Sequence, residues 1–477
     1  MAQLITDGSN HGVHPFVCQL RDVDTHLPLS GIELGDIGTK QGWNGIDNGY
    51  LRLDNVRVPR TNMLMKYFVV HKDGRYERIG SNDKAIYSTL IYARSLCASF
   101  YGGRMVIMAA SVAIRHCLVM KCDKYGSLFE NRFVKNTLVT ELASGLAIWL
   151  AGNALSNEYK RLLPRIMDGD SSPLPALHAI SSGYKALSTY LGPEGVERCR
   201  RCCGQVGGLV ASGLPIISET VSPGVTIDGD NTVMYLQLAR YLVKLERRRR
   251  EDGDSKNERG DDVDNEFDSS GPNSKSFALH MIKLHGLKSQ KLIEQAYDRM
   301  TSLVTSEGLP LYEAWNRTSV DLVQAAEAYT ISYAVKSFYD VIMSCGNDQD
   351  GGPDRDDEDL KNVLFDVLCL FAVHSFVSSV NVCYHLLTDK LPTSNLSDLR
   401  QSIDKMVDKL APNALALSDG LDLSDAELDT CIGTYCGNTD ADIFNYVADV
   451  QPYNAKPDLL KPVLEGLRNY FKLRSRL

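Results

Sequence analysis

Long uninterrupted apolar runs are scarce in this 477-residue chain. One of the longest, residues 363–373, is broken by Asp366 and falls short of the roughly 20 residues that span a bilayer, so no membrane span is expected. No N-terminal stretch reads as a signal peptide. The twelve cysteines, scattered through helical patterns, are therefore expected to be reduced thiols in an intracellular compartment rather than a disulfide framework. Cys199, Cys202 and Cys203 cluster, but a second ligand pair at zinc spacing is lacking, so they read as packing cysteines and no metal is expected. Positive charge is in deficit as well. With 51 Lys and Arg against 60 Asp and Glu, the net charge of −9 argues against nucleic acid or an anionic membrane as the main partner.

The hydrophobic share of 44% and charged share of 23% are ordinary for a globular protein, and 477 residues exceed what one core usually supports. Residues 1–75 alternate apolar and polar positions, as in Leu51, Leu53, Val56 and Val58, between Gly- and Asn-rich turns, and read as part of a β-domain. Residues 76–245 turn helical, with runs over Met105–Val119, 134–154 and 176–190, and read as a helical bundle. Four consecutive arginines, 247–250, lead into an Asp-, Glu-, Ser- and Gly-rich stretch, so 246–276 reads as a solvated acidic linker. Residues 277–477 form a second helical region, interrupted by an acidic loop at 346–358. The expected fold is mainly α: a partial β-domain followed by two helical-bundle domains.

The most informative stretch is Thr226–Ile227–Asp228–Gly229–Asp230–Asn231–Thr232, directly ahead of a helical run in which Val233, Leu236, Ala239, Leu242 and Val243 share one face. Asn231 or Asp230 reads as the N-cap. A carboxylate on this turn is a candidate base, and a cap or dipole partner is its plainer role. Upstream lie Gly204, Gly207 and Gly208, closed by Gly213–Leu214–Pro215.

Residues 203–244 resemble the segment of peroxisomal acyl-CoA oxidases that carries the catalytic base, with Asp228 at the position of the family's Glu. The likeness extends over nearly the whole chain. Gly35–Asp36–Ile37–Gly38, Ile46–Asp47–Asn48–Gly49–Tyr50–Leu51 and Val58–Pro59–Arg60 look like the end of the family's β-domain. Leu177–His178–Ala179, Gly195–Val196–Glu197, Ala314–Trp315–Asn316 and Ser319–Val320–Asp321–Leu322–Val323 follow in family order. Relative to the family, an N-terminal helical domain and the first part of the β-domain are missing. This implies a truncated or spliced form, or completion by another subunit.

The resemblance implies FAD-dependent oxidation of acyl-CoA to trans-2-enoyl-CoA, with molecular oxygen taking the electrons and leaving as hydrogen peroxide. Asp228 is then the catalytic base and Asp230 the alternative carboxylate. Gly204, Gly207, Lys121 and Asn231 are the cofactor-binding positions, the glycine turn of one subunit helping to hold its neighbour's flavin. Three departures stand out: Gln205 for Gly, Gly208 for an aromatic, and Met120 for an Arg that contacts the flavin phosphates. Lys121 is either a compensating point charge or a solvated helix lysine. The implied partners are an acyl-CoA, oxygen, and a second subunit forming a homodimer, or a heterodimer with a longer acyl-CoA oxidase. Ser475, Arg476 and Leu477 form a variant of the Ser-Lys-Leu address read by the peroxisomal import receptor, which implies the peroxisomal matrix. A catalytically impaired subunit or scaffold in a peroxisomal dimer is the alternative reading.

Overall fold

The computed structural model describes residues 1–79, 88–124, 126–252, 275–345, 355–380, 384–387, 393–437, 443–450, 461–462 and 465. Two compact units form: residues 1–91 with 160–174, and residues 92–159 with 175–477.

The first unit is built from hairpins. β1 (Ala2–Thr6) pairs antiparallel with β2 (Ser9–His14) through a bulge between Gln3 and Ile5, β3 (Ile32–Asp36) with β4 (Gly49–Leu53), and β5 (Phe68–Val70) with β6 (Tyr76–Arg78). Leu4, Met63 and Val70 form a small core flanked by Phe16, Met65, Phe68 and Tyr76. Strand content thus reaches Arg78, past the expected boundary at 75. The alternation read at 51–53 does produce β4, but both faces of that strand are exposed, with Tyr50, Leu51 and Leu53 each 47–49% accessible. A two-stranded ribbon has too little area to cover a face.

The second unit is helical. α1 (Ser88–Ser99) runs through one π turn, Phe100–Arg104, into α2 (Met105–Val119). A short hairpin, β7 (Lys121–Cys122) with β8 (Gly126–Ser127), leads to α3 (Arg132–Met167), α4 (Leu174–Cys202), α5 (Leu214–Val221) and α6 (Asn231–Glu251). Beyond the acidic stretch come α7 (Lys275–Thr305), α8 (Leu311–Arg317), α9 (Ser319–Ser344), α10 (Arg355–Ser379), α11 (Tyr384–Leu387), α12 (Thr393–Leu410), α13 (Ala414–Asp419) and α14 (Asp425–Leu428).

Glycines let α2 approach its neighbours at backbone distance. A Cβ on Gly102 would lie 2.4 Å from Ser188 O on α4, and one on Gly103 would lie 2.7 Å from Trp149 Cα on α3. Gly102 meets Ser188, and Cys117 Sγ donates to Cys202 O at 3.6 Å, so α2 and α4 run in the same direction. Asn231 meets Ala186 and Leu238 meets Gly183, so α6 runs back along α4.

Three readings of the sequence change. Residues 247–250 are the last turns of α6, not a linker edge. Arg249 bridges Glu246 and Glu294, and Arg250 bridges Glu246 and Asp298, favourable partners for cations at a helix C-terminus. Residues 253–274 and 346–354 lie outside the described residues, but α10 begins at Arg355, so the stretch 355–358 is helical rather than part of a loop. Finally, among the described residues three helices are long and apolar enough to cross a membrane, contrary to the expectation from uninterrupted runs: 90–119, 132–167 and 358–379. Of their apolar windows, 82%, 72% and 56% respectively are buried inside the protein, as suits helices that are apolar all round and sit in a bundle. Asp366, the charge in the third, is paired with Lys409 at 2.8 Å.

Candidate active site

The turn before α6 divides its carboxylates. Asp230 is the N-cap, its side chain accepting from Thr232 N at 2.9 Å and Val233 N at 3.3 Å. Asp228 takes no part in capping. It lies in the left-handed region with φ +57, and Gly229 follows with φ +110. Asp tolerates that region and glycine is at ease there. A side chain at 229 would in addition meet Met234 Cε at 2.6 Å. Two successive left-handed residues need support from outside the turn, and α4 supplies it. Lys185 Nζ donates to Gly229 O at 2.6 Å and to Asn231 Oδ1 at 3.0 Å, Thr189 Oγ1 donates to the same Oδ1 at 2.8 Å, and Asn231 Nδ2 donates to Ala186 O at 3.1 Å. The side-chain amide of Asn231 is thereby committed to α4. Position 231 opens the helix.

Asp228 itself is exposed rather than sunk in a pocket. Its Oδ2 accepts from Cys97 Sγ at 3.5 Å. Burial, reinforced by the negative charge of Asp228, pushes the Cys97 thiol up to about 11. The sulfur therefore stays protonated, and able to donate, across the neutral range. Alkylation of Cys97 by iodoacetamide should accordingly be slow at pH 8 and rise about tenfold per pH unit toward pH 11, because only the thiolate reacts. Mass spectrometry of the Cys97 peptide checks this, and a rate that levels off below pH 9 contradicts it.

Lys185 is buried, and desolvation pulls its ammonium down to about 8 against the attraction of Asp228 and Asp230. Nearby, Arg94 Nη1 donates to Ser182 Oγ at 3.3 Å and to His178 Nδ1 at 3.4 Å, while its buried Nε has no hydrogen-bond partner. Burial lowers the pKa of both Arg94 and His178. Next to this group, Leu96, Cys97, Phe100, Tyr101, Arg104 and Trp149 line a cleft of about 400 Å³. It opens at the π turn, a helix irregularity common at functional sites. A larger cavity of about 860 Å³ lies elsewhere in the bundle, lined by residues such as Thr140, Glu141, Leu187, Glu327 and His374. It contains none of the sequence-derived candidates.

Those candidates fall into two groups. Gly204 (φ +62) ends α4 and is exposed, whereas Gly207 is buried where a Cβ would strike Arg200 O at 2.4 Å. Lys121 is exposed on β7 rather than on a helix. Because Cys117 touches Cys202, Lys121 and the glycine turn sit at the same end of the bundle. Asp228 and Asn231 belong to the other group, joined to α4 at Lys185. From there to Cys202 is about 25 Å of helix at 1.5 Å per residue.

Residues 87–243 match the family model described as "Acyl-CoA oxidase, C-alpha1 domain", and residues 280–468 the one described as "Acyl-CoA oxidase". Peroxisomal acyl-coenzyme A oxidase 1 of Rattus norvegicus is 33% identical over 474 residues, covering 95% of this chain and 68% of the relative. The chain belongs to the acyl-CoA oxidase family. The Homo sapiens enzyme of the same description is 31% identical over 500 residues, covering 100% of this chain and 71% of its own. Among solved structures, Arabidopsis thaliana acyl-CoA oxidase 1 superposes with a TM-score of 0.83 at 26% identity, over 98% of this chain and 71% of that one. Caenorhabditis elegans acyl-CoA oxidase-2, bound with FAD, ascaroside-CoA and ATP, gives 0.83 at 28% identity, over 98% and 69%. The mainly α architecture is that of the acyl-CoA oxidases.

Within this acyl-CoA oxidase framework, sequence reading missed Cys97, Lys185 and Arg94. Lys185 carried a faint signal. It is a lone charge in the stretch Ser181–Ser182–Gly183–Tyr184–Lys185–Ala186–Leu187, whose residues are all buried. Cys97 carried none, because its meaning comes from a residue far away in sequence.

Proposed function

We propose that this chain oxidises an acyl-CoA to the trans-2-enoyl-CoA with bound FAD, molecular oxygen taking the electrons and leaving as hydrogen peroxide, in the first step of peroxisomal fatty-acid β-oxidation. One observation carries the reading: Asp230 does the capping, so Asp228 stands beside the cleft free of the helix cap. The thioester acidifies Cα, and a carboxylate within hydrogen-bond reach takes that proton. Cys97 donates to Oδ2 of Asp228, which leaves Oδ1 for the substrate. FAD, when bound, supplies the acceptor for the hydride from Cβ and the route of electrons to oxygen.

The far end of the bundle fits the phosphates of a dinucleotide. Gly204 and Gly208 are exposed and flank Gln205 and Val206, leaving backbone open at both ends of the turn, and Lys121 offers an exposed cation where Met120 offers none. The length of α4 between that end and Lys185 favours a flavin belonging to a second subunit. The assembly is then a homodimer, or a heterodimer with a longer acyl-CoA oxidase. Peroxisomal matrix residence is supported by the descriptions of the relatives and by Ser475, Arg476 and Leu477, which lie outside the described residues. The purified full chain mixed with FAD should be yellow and should release peroxide from an acyl-CoA. A protein that stays colourless with added FAD and releases none would sink this reading in favour of a non-catalytic subunit.

A further inference from the structure

We infer that Lys185 is a positioning residue for the proposed base: from the middle of α4 its buried ammonium holds the Asp228–Gly229 turn in its left-handed form. The inference rests on the reading of Asp228 as base. A single ammonium grips the turn at two places, Gly229 O at 2.6 Å and Asn231 Oδ1 at 3.0 Å, on either side of Asp230. Both acceptors lie within three residues of Asp228, so the position of its Cα follows that of Nζ.

A neutral donor would suffice merely to satisfy Gly229 O. A buried ammonium is expensive in an interior and needs compensation. Gly229 O and Asn231 Oδ1 are neutral oxygens, and the negative charges acting on the ammonium are Asp228, Asp230 and Cys97 if ionised, with Arg94 opposing. Cys97 is held as the thiol, and Asp230 is already engaged by two backbone N–H groups. Asp228 is thus the carboxylate left free to answer the ammonium, gripped from one side by Lys185 through the backbone and from the other by the Cys97 thiol. Packing alone explains neither the choice of an amine nor the pairing of its two bonds.

The test compares the FAD-loaded full chain with Lys185→Met and Lys185→Ala, the latter with and without ethylamine. For Lys185→Met the expected result is full flavin absorbance, KM within about twofold, and kcat lower by about 100-fold, the loss that a misplacement of roughly 1 Å produces. Amide hydrogen exchange in residues 227–232 should quicken by about tenfold or more while α4 stays protected. Ethylamine should restore at least about tenfold of the lost kcat to Lys185→Ala, and ethanol should not, since only the amine brings a charged donor. If kcat and exchange of the turn both stay within about twofold of the unaltered protein, the inference is overturned. If Lys185→Met fails to fold, the ethylamine arm decides alone. Absence of turnover in the unaltered chain removes the oxidase reading. The exchange arm then still tells whether Lys185 holds the turn.

Discussion

Asp228→Asn is expected to lower peroxide formation by at least about 10³-fold, within the range contributed by a positioned base. The substitution removes the proton acceptor and its negative charge but keeps the local shape. Asn keeps the shape of Asp and also tolerates the left-handed region that φ +57 imposes, so the turn persists. The helix start persists too, because its cap is Asp230. Flavin content should therefore match the unaltered protein, and the urea midpoint should fall only slightly as the Lys185 ammonium loses a nearby negative charge, leaving turnover as the property that moves most. Asp230→Ala is the informative contrast. It loses the bonds to Thr232 N and Val233 N, costs about 1 kcal/mol of stability, and should keep turnover within a few-fold. The reverse pattern, an inactive Asp230→Ala beside an active Asp228→Asn, would reassign the base to Asp230.

The largest effect on stability is expected at Gly102. Its N–H donates to Ser188 Oγ at 2.8 Å, and a Cβ there would lie 2.4 Å from Ser188 O and 2.8 Å from Ser188 Cα, all on a neighbouring helix that cannot yield like a side chain. Gly102→Val drives α2 away from α4. Overpacking of this kind costs about 1–3 kcal/mol, and rigid backbone on the far side puts the expectation at about 3 kcal/mol or more. Tyr101 and the cleft shift with it, so turnover should fall together with stability. Urea denaturation followed by circular dichroism measures the first and peroxide release the second. A midpoint unchanged by Gly102→Val would mean that the helices do not meet as closely as described.

Elements fixed by their own periodicity were legible in the sequence. Met105–Val119 emerges as α2 with the bounds read from its apolar spacing, and the runs at 134–154 and 176–190 lie inside the longer α3 and α4. Helix continuation past those runs was not legible, because ion pairs and caps rather than apolar spacing sustain the ends. The arginines at 247–250 illustrate this, since only Glu294 and Asp298 on α7 explain why they stay helical. At the site, local chemistry pointed to the turn and left Asp228, Asp230 and Asn231 to share three roles. Contacts distant in sequence divide them: Lys185 and Ala186 claim Asn231, the start of α6 claims Asp230, and Cys97 meets Asp228. None of these pairings has a period or a motif.

The π turn at Phe100–Arg104 couples two surfaces that answer to different demands. Such a turn amounts to one residue inserted in an α-helix, and each residue added or removed rotates what precedes it by about 100° about the axis. Within the turn Gly103 is set against Trp149, and downstream α2 is locked at Val112 by Gly433. Upstream, Cys97 and Arg94 hang on the free side of that joint. Loss of a single residue here would leave the bundle assembled yet swing the thiol off the Asp228 carboxylate and the guanidinium off Ser182 and His178. The insertion works as an angular vernier, by which a lineage can retune the chemistry of the cleft without disturbing the scaffold that carries it.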